Sequence, residues 1–370
     1  MRSRIVLSLA LVAGCVDPTE VVPVDTTTAY WPAASWRVAQ PEAVGVDGPA
    51  VRSLLRQLDD GTVPGIHSFL AIRHGYVFAE AYFAGASAAQ THTLQSISKS
   101  VTSLLIGIAR DSGLLASIDA PVLGFFPEYT NLAALDDAKR SLRIRDLLAM
   151  RTGMSFWEEP YDGSPLQQLN SCACDWLRLV LDRPMSGLPD QSWAYNSGGV
   201  IVLGGVIRAV AGTSADDFAR RVLFDPLGIT QWSWFKGQPN GLPHMGGGLS
   251  LRTSDLARIG YLVLKRGAWN GQRIVSEHWL DESTTRVTTK TPRYFPRDTD
   301  YGLLWWLFPR NGVTGPGSGD DYVIAASGTG GQWMFIDRAK NLVVVLTGAL
   351  GSGNWPGVQL FFDQLEAAAR

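Results

Sequence analysis

Three cysteines in 370 residues are too few for a disulfide-built scaffold or a four-thiolate zinc site. The five histidines, His67, His74, His92, His244 and His278, are scattered without metal-ligand spacing, and no metal is assigned to them. The chain contains no HExxH, CxxC, P-loop or GxSxG signature, which removes the common zinc-protease, redox, nucleotide and nucleophile-elbow chemistries. Charged residues make up only 18%, with a net charge of −2 and no block of one sign, so there is no electrostatic footprint for nucleic acid. No apolar run is long enough to cross a bilayer as a stable helix. Lysine is scarce, with six against 26 arginines, so a lysine inside an uncharged segment needs a reason. What is present is 46% hydrophobic residues, the composition of a packed globular chain.

At the N-terminus, Arg2 and Arg4 precede a short apolar run from Ile5 to Ala13, then Gly14 and Cys15. A positive n-region, a short h-region and small residues describe a signal peptide over 1–14. Val12-Ala-Gly-Cys15 also resembles a bacterial lipobox, which makes Cys15 the candidate lipidation site; the alternatives are an ordinary signal peptide that happens to contain a cysteine and a frayed N-terminal helix. Val16 in place of Asp favours the outer membrane if the envelope is Gram-negative. The Pro/Thr/Val-rich stretch that follows reads as an extended tether over 15–38. The expected location is the cell envelope, on the periplasmic face, with a lipid anchor in the membrane.

Residues 47–59 carry helical apolar spacing at Val51, Leu54, Leu55 and Leu58. Two β-rich runs, Ser68–Ile72 and Tyr76–Phe83, flank the hairpin signal Arg73-His-Gly75. Near the other end, Tyr322–Ala326, Gln332–Ile336 and Leu342–Thr347 read as strands and Val358–Ala369 as a helix. Between them, residues 96–280 are mostly helical, with stops at Gly113, Gly153 and Gly212. Strands at both ends and helices between imply one antiparallel sheet closed by the two termini. The expected domain is 39–370, with one lobe of about 39–110 plus 245–370 and a helical lobe of about 111–244.

The chemistry centres on Ser96-Ile-Ser-Lys99. A serine three residues before a lysine on a helix shares a face with it, and a desolvated lysine can act as its base. SxxK alone is weak, with about 0.5 occurrences expected by chance here, and Ser233-Trp-Phe-Lys236 is a second match. Context separates the two. Ser96 stands where a helix begins, and the uncharged run Val101–Ala109 follows, so Lys99 enters an apolar helix. Ser233 lies among alternating aromatics and reads as structural. For Ser96 and Lys99 the bland reading is a polar first turn with a snorkelling lysine.

Ser96-Ile-Ser-Lys-Ser-Val-Thr-Ser-Leu-Leu resembles the nucleophile helix of serine hydrolases related to class C β-lactamases and D-Ala-D-Ala peptidases. Further blocks resemble the same family in order: Leu142–Gly153, Tyr195–Gly204, Phe224–Ile229, Gly246–Ala257 and Tyr301–Trp306. The resemblance spans about residues 40–368 and is nearest the esterase and 6-aminohexanoate-dimer-hydrolase branch. It implies an α/β (α+β) fold of the β-lactamase/transpeptidase type, in which an antiparallel sheet built from both termini is flanked by helices and carries an inserted, mainly helical lobe.

By the same resemblance Ser96 is the nucleophile, Lys99 its base, and Tyr195 the proton-transfer group of a Tyr-x-Asn box whose third position here is Ser197. The family's Lys/His-Thr/Ser-Gly box aligns with Ala326-Ser327-Gly328. The backbone N–H groups of Ser96 and Thr329 would form the oxyanion hole, and Ser327, Gly328, Ser197 and Tyr161 the substrate contacts. Ala326 removes the cation that faces a substrate carboxylate in β-lactamases and peptidases. Trp305 and Trp306 are candidates for an apolar pocket, with core packing the commoner role. Cys172 and Cys174 are either thiols or an unusual pair. The implied activity is hydrolysis of small carboxylic esters or linear amides without cofactor or metal. The alternatives are a β-lactamase or D-Ala-D-Ala carboxypeptidase, and a non-catalytic envelope binding protein.

Overall fold

The computed structural model describes residues 21–32, 35–288, 291, 295–310, 317, 319–351 and 355–370. The segment read as a signal peptide, and Cys15, lie outside the described residues. The main sheet has eight strands in the order β1-β3-β2-β13-β12-β11-β10-β9. They are β1 (Arg37–Val38), β2 (Ile66–Arg73), β3 (Tyr76–Tyr82), β9 (Asp300–Tyr301), β10 (Trp306–Pro309), β11 (Tyr322–Gly328), β12 (Gln332–Asp337) and β13 (Leu342–Gly348). A second sheet joins β4 (Thr91–Thr93), β6 (Leu249–Arg252) and β5 (Trp232–Trp234), and β7 (Ala268–Trp269) pairs with β8 (Gln272–Arg273). The main sheet is built from both ends of the chain, as its terminal β-rich runs imply, and is antiparallel except where β1 runs parallel to β3.

Strands β11, β12 and β13 are buried along their whole length because helices cover both faces, so they read as continuous apolar runs. Met334 and Phe335 show the alternation. Met334 meets helix Thr253–Leu264 at Gly260, where a Cβ would come within 2.8 Å of Val343. Phe335 points the other way and stacks on Phe361 of the C-terminal helix at 4.4 Å. Burying aromatic rings of this size contributes roughly 1.5–3 kcal/mol each. Strand β11 runs two residues beyond its apolar stretch, because Ser327 and Gly328 pair with Trp333 and Gln332 across the hairpin.

Helix Ile97–Asp111 is buried from Ile97 to Ala109. Its polar first turns are consumed in docking: Ser100 Oγ donates to Leu304 O, and Thr102 Oγ1 to Ser98 O and Met245 O. Two expectations change at the edges of the domain. The tether read as reaching residue 38 is docked from Tyr30 onward. Trp31 and Trp36 pack edge-on against Tyr261, Arg37 lies over the rings of Tyr30 and Tyr76, and β1 joins the sheet. Apolar rings with a ring cluster to cover do not stay in solvent. Cys172 and Cys174, left open between two states by the sequence, are disulfide-bonded.

Candidate active site

The small sheet brings the first two groups together. Strand β4 leads into Ser96, and Gly246 lies three residues before the start of β6. Their antiparallel pairing, with Leu94 N–H donating to Leu249 O at 2.8 Å, sets the two segments side by side. Gln95 takes a left-handed φ of +51° and turns the strand sharply into the helix. Ser96 sits at the helix start with its side chain capping nothing. Ser98 ties down the turn instead, donating to Gln95 O and accepting from Leu249 N.

Lys99 is 1% exposed. Its Nζ lies 2.8 Å from Ser96 Oγ and donates to Gly246 O at 2.7 Å. Burial pushes the amine down to about 8, against the field of Glu158, which acts the other way. At pH 7 about one such amine in ten is neutral and able to accept a proton from Ser96.

Tyr195 faces the same amine, with Lys99 Nζ 4.6 Å from its ring centroid. Its ring stacks on Trp306 at 5.8 Å and tilts against Trp193. The backbone is held by Met150, whose carbonyl accepts Ala194 N–H and whose Sδ accepts Asn196 N–H. Asn196 Oδ1 then caps helix Ser197–Ala211 through Gly199 N–H. Trp305 and Trp306 are both buried, so Trp306 acts as the wall behind Tyr195.

The end of β11 closes the third side. A Cβ on Gly328 would stand 2.2 Å from Leu94 O and 3.0 Å from Gln95 Cβ, so only glycine lets the strand come this near the nucleophile turn. Ser327 is buried, whereas Thr329 is exposed at the turn beyond. Among the described residues neither the Ser96 nor the Thr329 N–H finds an intramolecular acceptor. Ala326 is buried and brings no charge. Arg252, the last residue of β6 and a candidate for a replacement cation, is bound through Nε to Asp255 at 2.6 Å.

Ser197 opens its helix, and its N–H donates to Glu158 Oε1 at 2.5 Å. Tyr161 stands apart from the serine and lysine. It is 43% exposed at the rim, and its OH accepts from Asn170 Nδ2 at 3.3 Å. Asn170 Oδ1 in turn accepts from His244 Nε2 at 3.1 Å, and burial holds the His244 imidazole down at about 4. Ser233 is exposed on β5, and Lys236 pairs with Asp216 at 2.6 Å, which leaves that SxxK structural.

Glu158, Gly246 and His244 were not singled out from the sequence as site residues. Glu158 is one of two adjacent glutamates, and nothing local distinguishes them. Gly246 contributes only a carbonyl. Two of the scattered histidines also meet. His92 Nδ1 donates to Thr93 O, so its Nε2 accepts from His67 Nδ1 at 3.1 Å, beside a polar cleft of about 250 Å³ that includes Ser68, Thr253 and Thr347.

A family model described as Beta-lactamase matches residues 51–369. The chain belongs to the Beta-lactamase family. It is a serine hydrolase of that family, and its sequence is similar to the 6-aminohexanoate-dimer hydrolase of Paenarthrobacter ureafaciens, 24% identical over 313 residues, 79% of this chain and 75% of that one. Two solved structures share this Beta-lactamase-family fold. EstCE1, described as a hydrolase with promiscuous acyltransferase activity, has a TM-score of 0.70 at 17% identity, covering 89% of this chain and 99% of its own. A D-stereospecific amidohydrolase from Streptomyces sp. has a TM-score of 0.63 at 17% identity, covering 85% and 98%.

Proposed function

We propose that the protein hydrolyses carboxylic esters or linear amides through an acyl-enzyme on Ser96. The observation that carries this reading is the buried Lys99 amine at 2.8 Å from Ser96 Oγ. Neutral Lys99 takes the Ser96 proton as Oγ attacks the substrate carbonyl carbon. The N–H groups of Ser96 and Thr329 receive the developing oxyanion, beside the positive end of helix Ile97–Asp111. On collapse of the tetrahedral intermediate, Tyr195 passes a proton to the departing alcohol or amine and is reprotonated by Lys99, which returns to the neutral amine. Water then attacks the acyl carbon and gives its proton to Lys99, and that proton goes back to Ser96 Oγ as the Ser96–acyl bond breaks and the acid leaves.

The uncharged Ala326 and the engaged Arg252 support neutral substrates over carboxylated β-lactams or D-Ala-D-Ala peptides. The names of two relatives, a 6-aminohexanoate-dimer hydrolase and a D-stereospecific amidohydrolase, support amide hydrolysis as one of the two reactions.

The test uses purified full chain with short-chain p-nitrophenyl esters, a linear amide, nitrocefin and a D-Ala-D-Ala peptide, together with a fluorophosphonate probe. Labelling is expected at Ser96 and lost in Ser96→Ala, with esters or the linear amide turned over best. Labelling that persists in Ser96→Ala refutes the nucleophile. Efficient nitrocefin turnover with negligible ester or amide cleavage refutes the substrate class. We also propose that Cys15 is lipidated and holds the domain at the envelope membrane. Cys15→Ser should release the protein into the soluble fraction, and an unmodified N-terminus cleaved elsewhere would refute the anchor.

A further inference from the structure

Glu158 takes no part in the reaction derived above, yet its carboxylate is built into the same corner. Its Oε1 accepts the N–H of Ser197, at the positive end of helix Ser197–Ala211, which fixes the carboxylate beside the segment carrying Tyr195 and Asn196. Ser197 lies against Gly246, where a Cβ would be 3.1 Å from Ser197 Cβ, and Gly246 O is the acceptor of Lys99 Nζ. Close contacts therefore run from Glu158 through Ser197 and Gly246 to the catalytic amine.

The groups facing Lys99 come from four directions. Tyr195 faces it from the lead into helix Ser197–Ala211, while Glu158, in the loop after Met154, and His244, in the turn before β6, act on it through their fields. Strand β11 offers the neutral Ala326, and on its own helix the next charge is Arg110, three turns away. His244 is neutral at working pH and gives its Nε2–H to Asn170. Glu158 is the anion of this set.

We propose that Glu158 is a positioning residue of the reaction: its carboxylate, held by the Ser197 N–H two contacts away from the Lys99 amine, supplies the negative field there and sets the pH at which Ser96 gains its base. This rests on the Ser96–Lys99 reading above. A nearby anion favours the ammonium, so Glu158 delays deprotonation of Lys99 while making the freed amine a stronger base. It also keeps anionic substrate groups away from the corner.

The test is the pH dependence of two quantities, kcat/KM for a neutral ester and the rate of fluorophosphonate labelling at Ser96. They are measured for the full chain and for Glu158→Gln and Glu158→Asp. The glutamine keeps an oxygen for the Ser197 N–H and loses the charge; the aspartate keeps the charge but withdraws it by one methylene. The acid limb should fall by about 0.5–1 pH unit in Glu158→Gln, a partly exposed carboxylate giving less than the full effect of a close pair. Glu158→Asp should lie between that variant and the native chain. Below the limb, Glu158→Gln should then outpace the native enzyme by about three- to tenfold. A uniform loss of rate with the limb unmoved shows a purely structural role and overturns the proposal, as does a limb that moves up. Should the glutamine variant fail to fold, an aspartate limb that coincides with the native one overturns it. Failure of the parent reading looks different, since the native chain then shows no labelling at Ser96.

Discussion

The carbonyl of Gly246 holds the amine of Lys99 at 2.7 Å. A buried lysine has few ways to satisfy its N–H groups, and this acceptor holds Nζ where Ser96 Oγ is also within 2.8 Å. The family block that begins at Gly246 thus supplies a main-chain acceptor to the base.

The first prediction concerns pH. In the proposed mechanism the neutral form of Lys99 is the base, and burial pushes the group down to about 8. For a neutral ester, kcat/KM should therefore rise through about pH 8 and level off above it. A profile between pH 6 and 10 checks this, and a flat response would remove Lys99 from the base role.

The second concerns stability. The folded state lowers Lys99 from 10.5 to about 8, so the folded chain carries a penalty for the ammonium. That penalty is fully present below about pH 8, shrinks as pH rises toward 10.5 and is absent above it. Lys99→Met should abolish turnover and raise the unfolding free energy at pH 6 by roughly 2–3 kcal/mol. Denaturant melts at pH 6 and pH 9.5 should show the gain shrinking at the higher pH; equal gains at both would contradict the desolvation account.

The third tests the strand beside the nucleophile. A methyl on Gly328 would collide with Leu94 O at 2.2 Å, and neither backbone can yield without moving Ser96 or Thr329. Gly328→Ala should cost about 1–3 kcal/mol of stability and lower kcat at least tenfold, because oxyanion donors act only when correctly placed. Thermal melts and steady-state kinetics measure both; an unchanged kcat excludes this strand end from the oxyanion site.

The fourth tests selectivity. A charge-assisted hydrogen bond to a substrate carboxylate is worth roughly 1.5–3 kcal/mol. Ala326 supplies none, and Arg252 is occupied by Asp255. Ala326→Lys should raise kcat/KM for a carboxylated β-lactam relative to a neutral ester by about tenfold to over a hundredfold. If both substrates change in parallel, position 326 does not govern this choice.

Ser96 and Lys99 were legible in the sequence because an i, i+3 pair on a helix needs only local geometry, and an uncharged run after a lone lysine announces burial. The paired strands at both ends were legible for a similar reason: continuous apolar runs bounded by turns signal a sheet covered on both faces. The short strands β4, β5 and β6 carry too few residues for a period, so their pairing emerges only when distant segments meet. Tertiary structure alone decided that the carbonyl of Gly246 meets Lys99 across 147 residues of sequence, that Glu158 rather than Glu159 takes the Ser197 N–H, and that Tyr30, Trp31, Trp36, Arg37 and Val38 dock on the domain. A main-chain carbonyl is chemically identical at every residue, and a carboxylate acts through distance. What they do is therefore set by where the chain brings them, whereas the pairing of Ser96 with Lys99 is written in the spacing of their side chains.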